Sequence, residues 1–213
     1  MINLIDCAEI FVKEQLSSKI SDGHDFDHTM RVVNHALKLC RDMPQADVEI
    51  VHLAAILHDV GRPLEASSQG AVDHAGKGAQ IARDFLLQTG MPAERAERVA
   101  RCISEHRFRN NRKPSSIEAE ILFDADKLDS LGAVGIARAF FFAGKVGAGI
   151  HNSASQALAG AAYSRDDTAY REYLVKLSKL PERMLTPQGR IQAEELKGFM
   201  DEFFSQLNKE FFQ

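Results

Sequence analysis

The sequence predicts an all-α protein, and three observations carry that reading. Apolar residues recur at helical spacing along nearly the whole chain, and the alternation of a half-buried strand is almost absent. No internal repeat period appears in the 213 residues, so the expectation is a single domain over 1–213.

Ile5, Ala8, Ile10, Val12 and Leu16 mark a first amphipathic helix that ends near Ser17 and Ser18. Asp25 or Asp27 caps a second, with Met30, Val33, Ala36, Leu37 and Cys40 on one face, stopping before Pro44. Asp47 opens a third, Val48 to Val60, apolar nearly all round from Val51 to Leu57. That is the pattern of a central buried helix. Gly61 and Pro63 end it, and residues 64–70 read as a loop.

A further helix spans about Asp73 to Gln88, and Gly90 and Pro92 separate it from one over Ala93 to Glu105. Residues 107–116 are polar, basic and turn-rich. Ile117 to Leu128 is helical and leads almost directly into Ser130 to Ala143. Residues 144–166 hold Gly144, Gly147, Gly149 and Gly160 among small and polar residues, the texture of a flexible loop or flap. The C-terminal region 167–213 returns to helix in two pieces, Asp167 to Leu180 and Pro187 to Phe212. Its Phe203-Phe204 and Phe211-Phe212 pairs suit either a homodimer surface or the core packing of a terminal helix.

Composition narrows the function. Apolar residues make up 45% and charged residues 26%, enough for a substantial core. A net charge of -4 argues against a general binder of polymeric nucleic acid or of membrane surfaces, which would carry a basic face. The basic stretch Arg107, Arg109, Arg112 and Lys113 holds one aromatic, Phe108, and reads as a loop rimming a pocket. Cys7, Cys40 and Cys102 are odd in number, far apart and set in apolar helical runs, as expected of small buried residues in a reducing compartment. The first six residues lack the basic start of a signal peptide, and no apolar run approaches the roughly 18 residues of a membrane span. A cytoplasmic location is expected.

The chemistry lies in His28, the adjacent His58-Asp59, and Asp126. Each sits beside an apolar helical run, and two imidazoles with two carboxylates, if they converge, make an N/O site for a divalent metal. A His-Asp pair alone says little: chance gives about 0.6 in this composition, and two occur, His24-Asp25 and His58-Asp59. The second differs because it ends a helix that buries its whole surface, where unpartnered polar groups cost several kcal/mol. The plain alternative is an Asp-His hydrogen bond closing a helix end. Asp126 lies between Asp124 and Asp129, which suggests a solvated acidic face, yet its apolar neighbours point it inward.

Taken together these residues resemble the HD superfamily of metal-dependent phosphohydrolases, with the ordered pattern H…HD…D. The stretch His24-Asp25-Phe26-Asp27-His28-Thr29-Met30-Arg31-Val32 resembles the opening block of one bacterial single-domain subgroup. Ala54 to Arg62 resembles its central helix, and Asp124-Ala125-Asp126-Lys127-Leu128-Asp129-Ser130-Leu131-Gly132-Ala133 its third block. Leu177 to Gly189 is similar to its C-terminal segment. Glu172-Tyr173 departs from the subgroup's usual His-Phe, and substrate choice is expected there and in residues 144–166.

The resemblance implies an HD-type helical bundle with His28, His58, Asp59 and Asp126 holding one divalent ion. Mn²⁺ is favoured, and Mg²⁺, Ni²⁺ and Fe²⁺ also suit such ligands. It implies hydrolysis of a nucleotide or other phosphate ester, by pyrophosphohydrolysis of a nucleoside triphosphate or by phosphomonoester cleavage. Lys127, beside Asp126, and Arg31, one turn beyond His28, are the best-placed cations by spacing, and Arg62 is a third. The plain reading of each is a surface salt bridge. His74 and His106 lie in order between the HD pair and Asp126. Either they contact phosphate and transfer protons beside one metal, or they bind a second metal. A regulatory nucleotide-binding HD module and a di-iron HD oxygenase are the competing readings, and metal analysis separates them.

Overall fold

The computed structural model describes residues 3–16, 25–107 and 113–212, and every regular element among them is a helix. The predicted helix end at Ser17 and Ser18, His24, and the loop residues Phe108, Arg109 and Arg112 lie outside the described residues. The chain divides into two compact units, Met1–Asp126 and Lys127–Gln213.

The first unit holds α1 (Leu4–Gln15), α2 (Phe26–Cys40), α3 (Val48–Leu57), α4 (Arg62–Ser67), α5 (His74–Gln88), α6 (Ala93–Glu105) and α7 (Ile117–Leu128) up to Asp126. Helix α3 is its centre and packs against α1, α2, α5 and α6. The cause is composition: Ile50, Val51, Leu53, Ala54, Ala55, Ile56 and Leu57 are all buried, so α3 has almost no face to give to water. Each fully buried Leu or Ile there contributes about 1.5–3 kcal/mol. Asp47 starts the helix as predicted, its side chain accepting from the Ile50 N–H at 3.3 Å. The rings of Phe11 in α1 and Phe85 in α5 stack with centroids 4.3 Å apart.

The predicted third helix is interrupted. Regular α-helix stops at Leu57, turns carry His58 to Gly61, and α4 begins at Arg62 where a loop was expected over 64–70. Pro63 is the reason for that correction. Proline breaks a helix interior but suits a first turn, where its missing N–H would have had no partner. At Gly61 the chain passes almost backbone to backbone against α5. A Cβ there would lie 2.4 Å from the His74 carbonyl oxygen and 2.8 Å from the Gly78 nitrogen. This approach brings the start of α5 against the end of α3.

The second unit holds α8 (Gly132–Lys145), α9 (Ala154–Ala159), α10 (Ala169–Val175), two 3-10 turns (Leu177–Lys179 and Pro181–Arg183) and α11 (Pro187–Phe212). Helix α8 packs on α10 and α11. Phe204 is buried against Tyr170 and Tyr173, which is core packing, while Phe211 and Phe212 at the end of α11 are exposed. The segment 144–166, read from sequence as a loop, contains α9. A capping box formed by Ser153 and Gln156 starts it. No helix among the described residues is long and apolar enough to cross a membrane.

Two glycines separate close approach from empty space. Gly61→Ala is expected to cost at least about 1–3 kcal/mol, because its methyl meets fixed backbone atoms. Gly198→Ala, in α11 with nothing within 4 Å of the new methyl, is expected to add about 0.5–1 kcal/mol. Urea unfolding midpoints of the two variants check both signs.

Candidate metal centre

Six polar side chains from the ends of five helices meet inside the first unit. His28 lies in the first turn of α2, His58 and Asp59 follow α3, and His74 opens α5. His106 follows α6, and Asp126 lies in the last turn of α7. His28, His58, Asp59, His74 and His106 are all buried, and Asp126 keeps 15% of its side chain exposed.

Local sequence fixes each ring. Asp25 caps α2 and accepts the His28 backbone N–H at 2.9 Å, which sets His28 one turn into the helix. His58 and His106 close their helices in the same manner. The Nδ1–H of His58 donates to the Ala55 carbonyl at 2.8 Å, and that of His106 to the Ile103 carbonyl at 2.6 Å. Both bonds go to carbonyls of the last helical turn, where the intrahelical bonding runs out. Asp73 caps α5, and the Nδ1–H of His74 donates to Glu65 Oε2 at 2.6 Å. With the proton on Nδ1, each of these three rings in its neutral form turns the lone pair of Nε2 inward, the tautomer a metal or a proton donor requires.

Asp59 divides the cluster by its two oxygens. Oδ2 lies 3.5 Å from Nε2 of both His28 and His58, and those nitrogens are 3.3 Å apart. Asp126 Oδ1 lies 3.6 Å from His28 Nε2. Oδ1 of Asp59 faces the other way, 3.3 Å from His74 Nε2, 4.0 Å from His106 Nε2 and 2.9 Å from Arg62 Nε. His74 and His106 bring their Nε2 atoms within 3.4 Å of each other. The trio His28, His58 and Asp59 and the trio Asp59, His74 and His106 each gather their ligand atoms within 4.8 Å, close enough to hold a metal ion. Nitrogen lone pairs and carboxylate oxygens crowded this closely, with His28, His58 and Asp59 removed from water, repel one another until a cation lies among them. A soft-to-hard N/O donor set without thiolate suits a mid-row divalent ion.

Charge around the cluster is uneven. Burial holds the His58 pKa below its ordinary value, against the opposing charge of Asp59. Burial likewise pushes His74 down to about 4; Asp59 and Glu65 oppose that, while Arg62 and Arg107 add to it. Burial pushes the Glu65 carboxyl up, but hydrogen bonds from His74 and Arg107 outweigh it and leave the group below its usual range.

The sequence reading brought together His28, His58, Asp59, His74, His106 and Asp126, and all six meet. Arg62 lies against the cluster with its guanidinium anchored on Asp59 and, at 3.3 Å, on Glu65. Arg31 is half-buried on α2, three residues after His28, and Lys127 is the half-buried residue following Asp126. Asp124 and Asp129, expected on a solvated face, are both fully buried. Glu65 was missed. It sits in the stretch read as loop, and the spacing of Arg62 and Glu65 on one helical face was the available signal. Arg107, read as a loop residue, binds Glu65 Oε1 at 2.8 Å and Asp73 at 3.3 Å.

Comparison with known proteins gives a consistent result. The HD domain family matches residues 25–131. The chain is 36% identical to YpgQ of Bacillus subtilis over 195 residues, covering 89% of this chain and 85% of YpgQ. The crystal structure of YpgQ in complex with ADP is similar with a TM-score of 0.76 and 31% identity, covering 97% of both chains. An HD-superfamily hydrolase from Bacillus thuringiensis is similar with a TM-score of 0.75 and 29% identity, covering 97% of this chain and 95% of that one.

The depressed histidines have a consequence for stability. The unfolded chain binds protons near pH 6.5, whereas folded His74 stays neutral down to about 4, so the unfolded state holds more protons in that window. Chelator-treated protein is therefore expected to lose thermal stability as pH falls from about 6.5 towards about 4, and His74→Asn to flatten the slope. Melting temperatures at half-unit pH steps test this, and equal slopes in both proteins would sink it.

Proposed function

The chain belongs to the HD domain family, and we propose that it is a metal-dependent phosphohydrolase acting on a nucleotide through one divalent ion. The observation that carries this reading is the convergence of His28 and His58 Nε2 with Asp59 Oδ2 and Asp126 Oδ1 in a largely buried cluster. The hydrolase among the similar structures supports the reaction class, and the ADP bound by YpgQ supports a nucleotide as the ligand. The proposed ion is Mn²⁺, with Mg²⁺, Ni²⁺ and Fe²⁺ alternatives that such a donor set also accepts. The bond cleaved is an anhydride of a nucleoside triphosphate or a phosphomonoester.

A divalent ion bound there supplies Lewis acidity, lowering the pKa of water and offsetting charge on phosphoryl oxygens. The protein supplies orientation and proton transfer. His74 and His106 turn Nε2 towards the cluster with Nδ1 bonded elsewhere, so in their neutral forms they hold a water and take its proton as its oxygen attacks phosphorus. The bond from phosphorus to the leaving oxygen breaks, and that oxygen is protonated from solvent or a neighbouring side chain. Glu65 keeps His74 in the accepting tautomer through its 2.6 Å bond. Arg31 is the cation on α2 offered to phosphate. Arg62 would meet phosphate only with a guanidinium already anchored on Asp59 and Glu65. Lys127 belongs to the second unit and enters this reading through its covalent neighbour Asp126.

A metal-by-nucleotide screen that reads phosphate and pyrophosphate separately tests the reading. Chelation, His58→Ala and Asp59→Ala are each expected to lower turnover by at least about 100-fold while helical circular dichroism persists. Full activity in chelated protein or in either variant would overturn the assignment.

A further inference from the structure

The half of the cluster turned away from His28 and His58 is built like a second cation site. Asp59 Oδ1 and the Nε2 atoms of His74 and His106 gather within 4.8 Å, and all three residues are buried. Both imidazoles have their Nδ1–H committed elsewhere, to Glu65 and to the Ile103 carbonyl, so each turns a lone pair to the same region. By donor set alone this trio would take a divalent ion as readily as its neighbour.

Arg62 changes that balance. Its Nε–H donates to the same Asp59 Oδ1 at 2.9 Å, closer than either imidazole nitrogen approaches that oxygen. Its Nη1 donates to Glu65 Oε2 at 3.3 Å, and the side chain is only 17% exposed, so the guanidinium is fixed and little screened. A guanidinium stays charged at every working pH, so this positive charge is permanent. A second positive partner lies beyond it, because Arg107 Nη1 reaches Glu65 Oε1 at 2.8 Å and stands 3.0 Å from His74 Nδ1. An ion on His74 and His106 would share one carboxylate oxygen with a fixed positive charge.

We propose that Arg62 takes the place of a second metal ion and holds the centre to a single one. The arrangement leaves His74 and His106 as proton acceptors rather than ligands, which is the division of labour in the function proposed above, on which this inference rests. Arg62 is thereby a positioning residue that sets the metal count. Its proximity to Asp59 follows from the chain itself: Arg62 lies three positions after Asp59, and the first turn of α4 directs it back towards the end of α3.

Metal content after equilibrium dialysis of the full chain against excess Mn²⁺ is the test, with electron paramagnetic resonance to detect a coupled ion pair. Wild type is expected to hold one equivalent and Arg62→Met two, the second ion at least about tenfold tighter than any second binding in wild type. Arg62→Gln keeps a donor for Asp59 without the charge and is expected to match Arg62→Met, so a folding defect in one variant leaves the other as the measure. Arg62→Lys restores a charge and is expected to return to one equivalent, an outcome that a purely structural role would not produce. One equivalent in wild type and in both neutral variants overturns the role of Arg62 alone, as do two equivalents in wild type. No bound ion in wild type overturns both this inference and the metal-dependent reading.

Discussion

A single buried carboxylate organises the first unit. Asp59 is 1% exposed and cannot remain ionised there without partners, because removing a carboxylate from water costs several kcal/mol after every relaxation the protein can make. Its position is not optional. It follows a helix so apolar that the core closes around it, and the carboxylate is carried inside with the helix end. The neighbouring elements meet that requirement from two sides, His28 and His58 at Oδ2, Arg62, His74 and His106 at Oδ1.

Helix ends are what make this affordable in polar terms. A helix interior offers a histidine no free backbone partner, whereas its last turn leaves carbonyls unbonded. His58 and His106 use the same solution, an Nδ1–H donated three residues back along the chain. One bond closes the helix and fixes the ring tautomer together. His28 and His74 stand at helix starts, capped by Asp25 and Asp73, where no spare carbonyl is available. His74 therefore depends on a side chain, Glu65, for the same service.

Local periodicity made much of this legible, and long-range geometry did not. The helices over Ala93–Glu105, Ile117–Leu128 and Pro187–Phe212 end where the amphipathic pattern and the turn residues place them, and Asp47 caps α3 as its position before the apolar run suggests. The convergence of six residues scattered over about a hundred positions was inferred from their order and resemblance, and distance confirms the meeting only in the fold. Errors came where one residue type has two meanings. Pro63 stops α3 but also starts α4, and reading only the first meaning hid Glu65. Ser153 and Gln156 carried a capping signature inside a stretch judged by its glycines. The contact of Gly61 with Gly78 and His74 had no local signal, since either glycine alone reads as a helix end or a weak helical position.

Net charge explains why the cluster's cations matter as much as its ligands. Asp59, Asp126, Glu65 and Asp73 bring four carboxylates, Arg62 and Arg107 two guanidiniums, and His74, held neutral by burial, no charge. The set is therefore slightly negative before any ion binds, which attracts a divalent cation. One such ion would offset that excess. A second would add two further positive charges in a region with little water to screen them. A fixed guanidinium supplies half the charge of that second ion, permanently and without a dissociation equilibrium. Placing it on the very oxygen the second ion would need joins the electrostatic limit to a steric one, and both follow from an arginine three residues after Asp59.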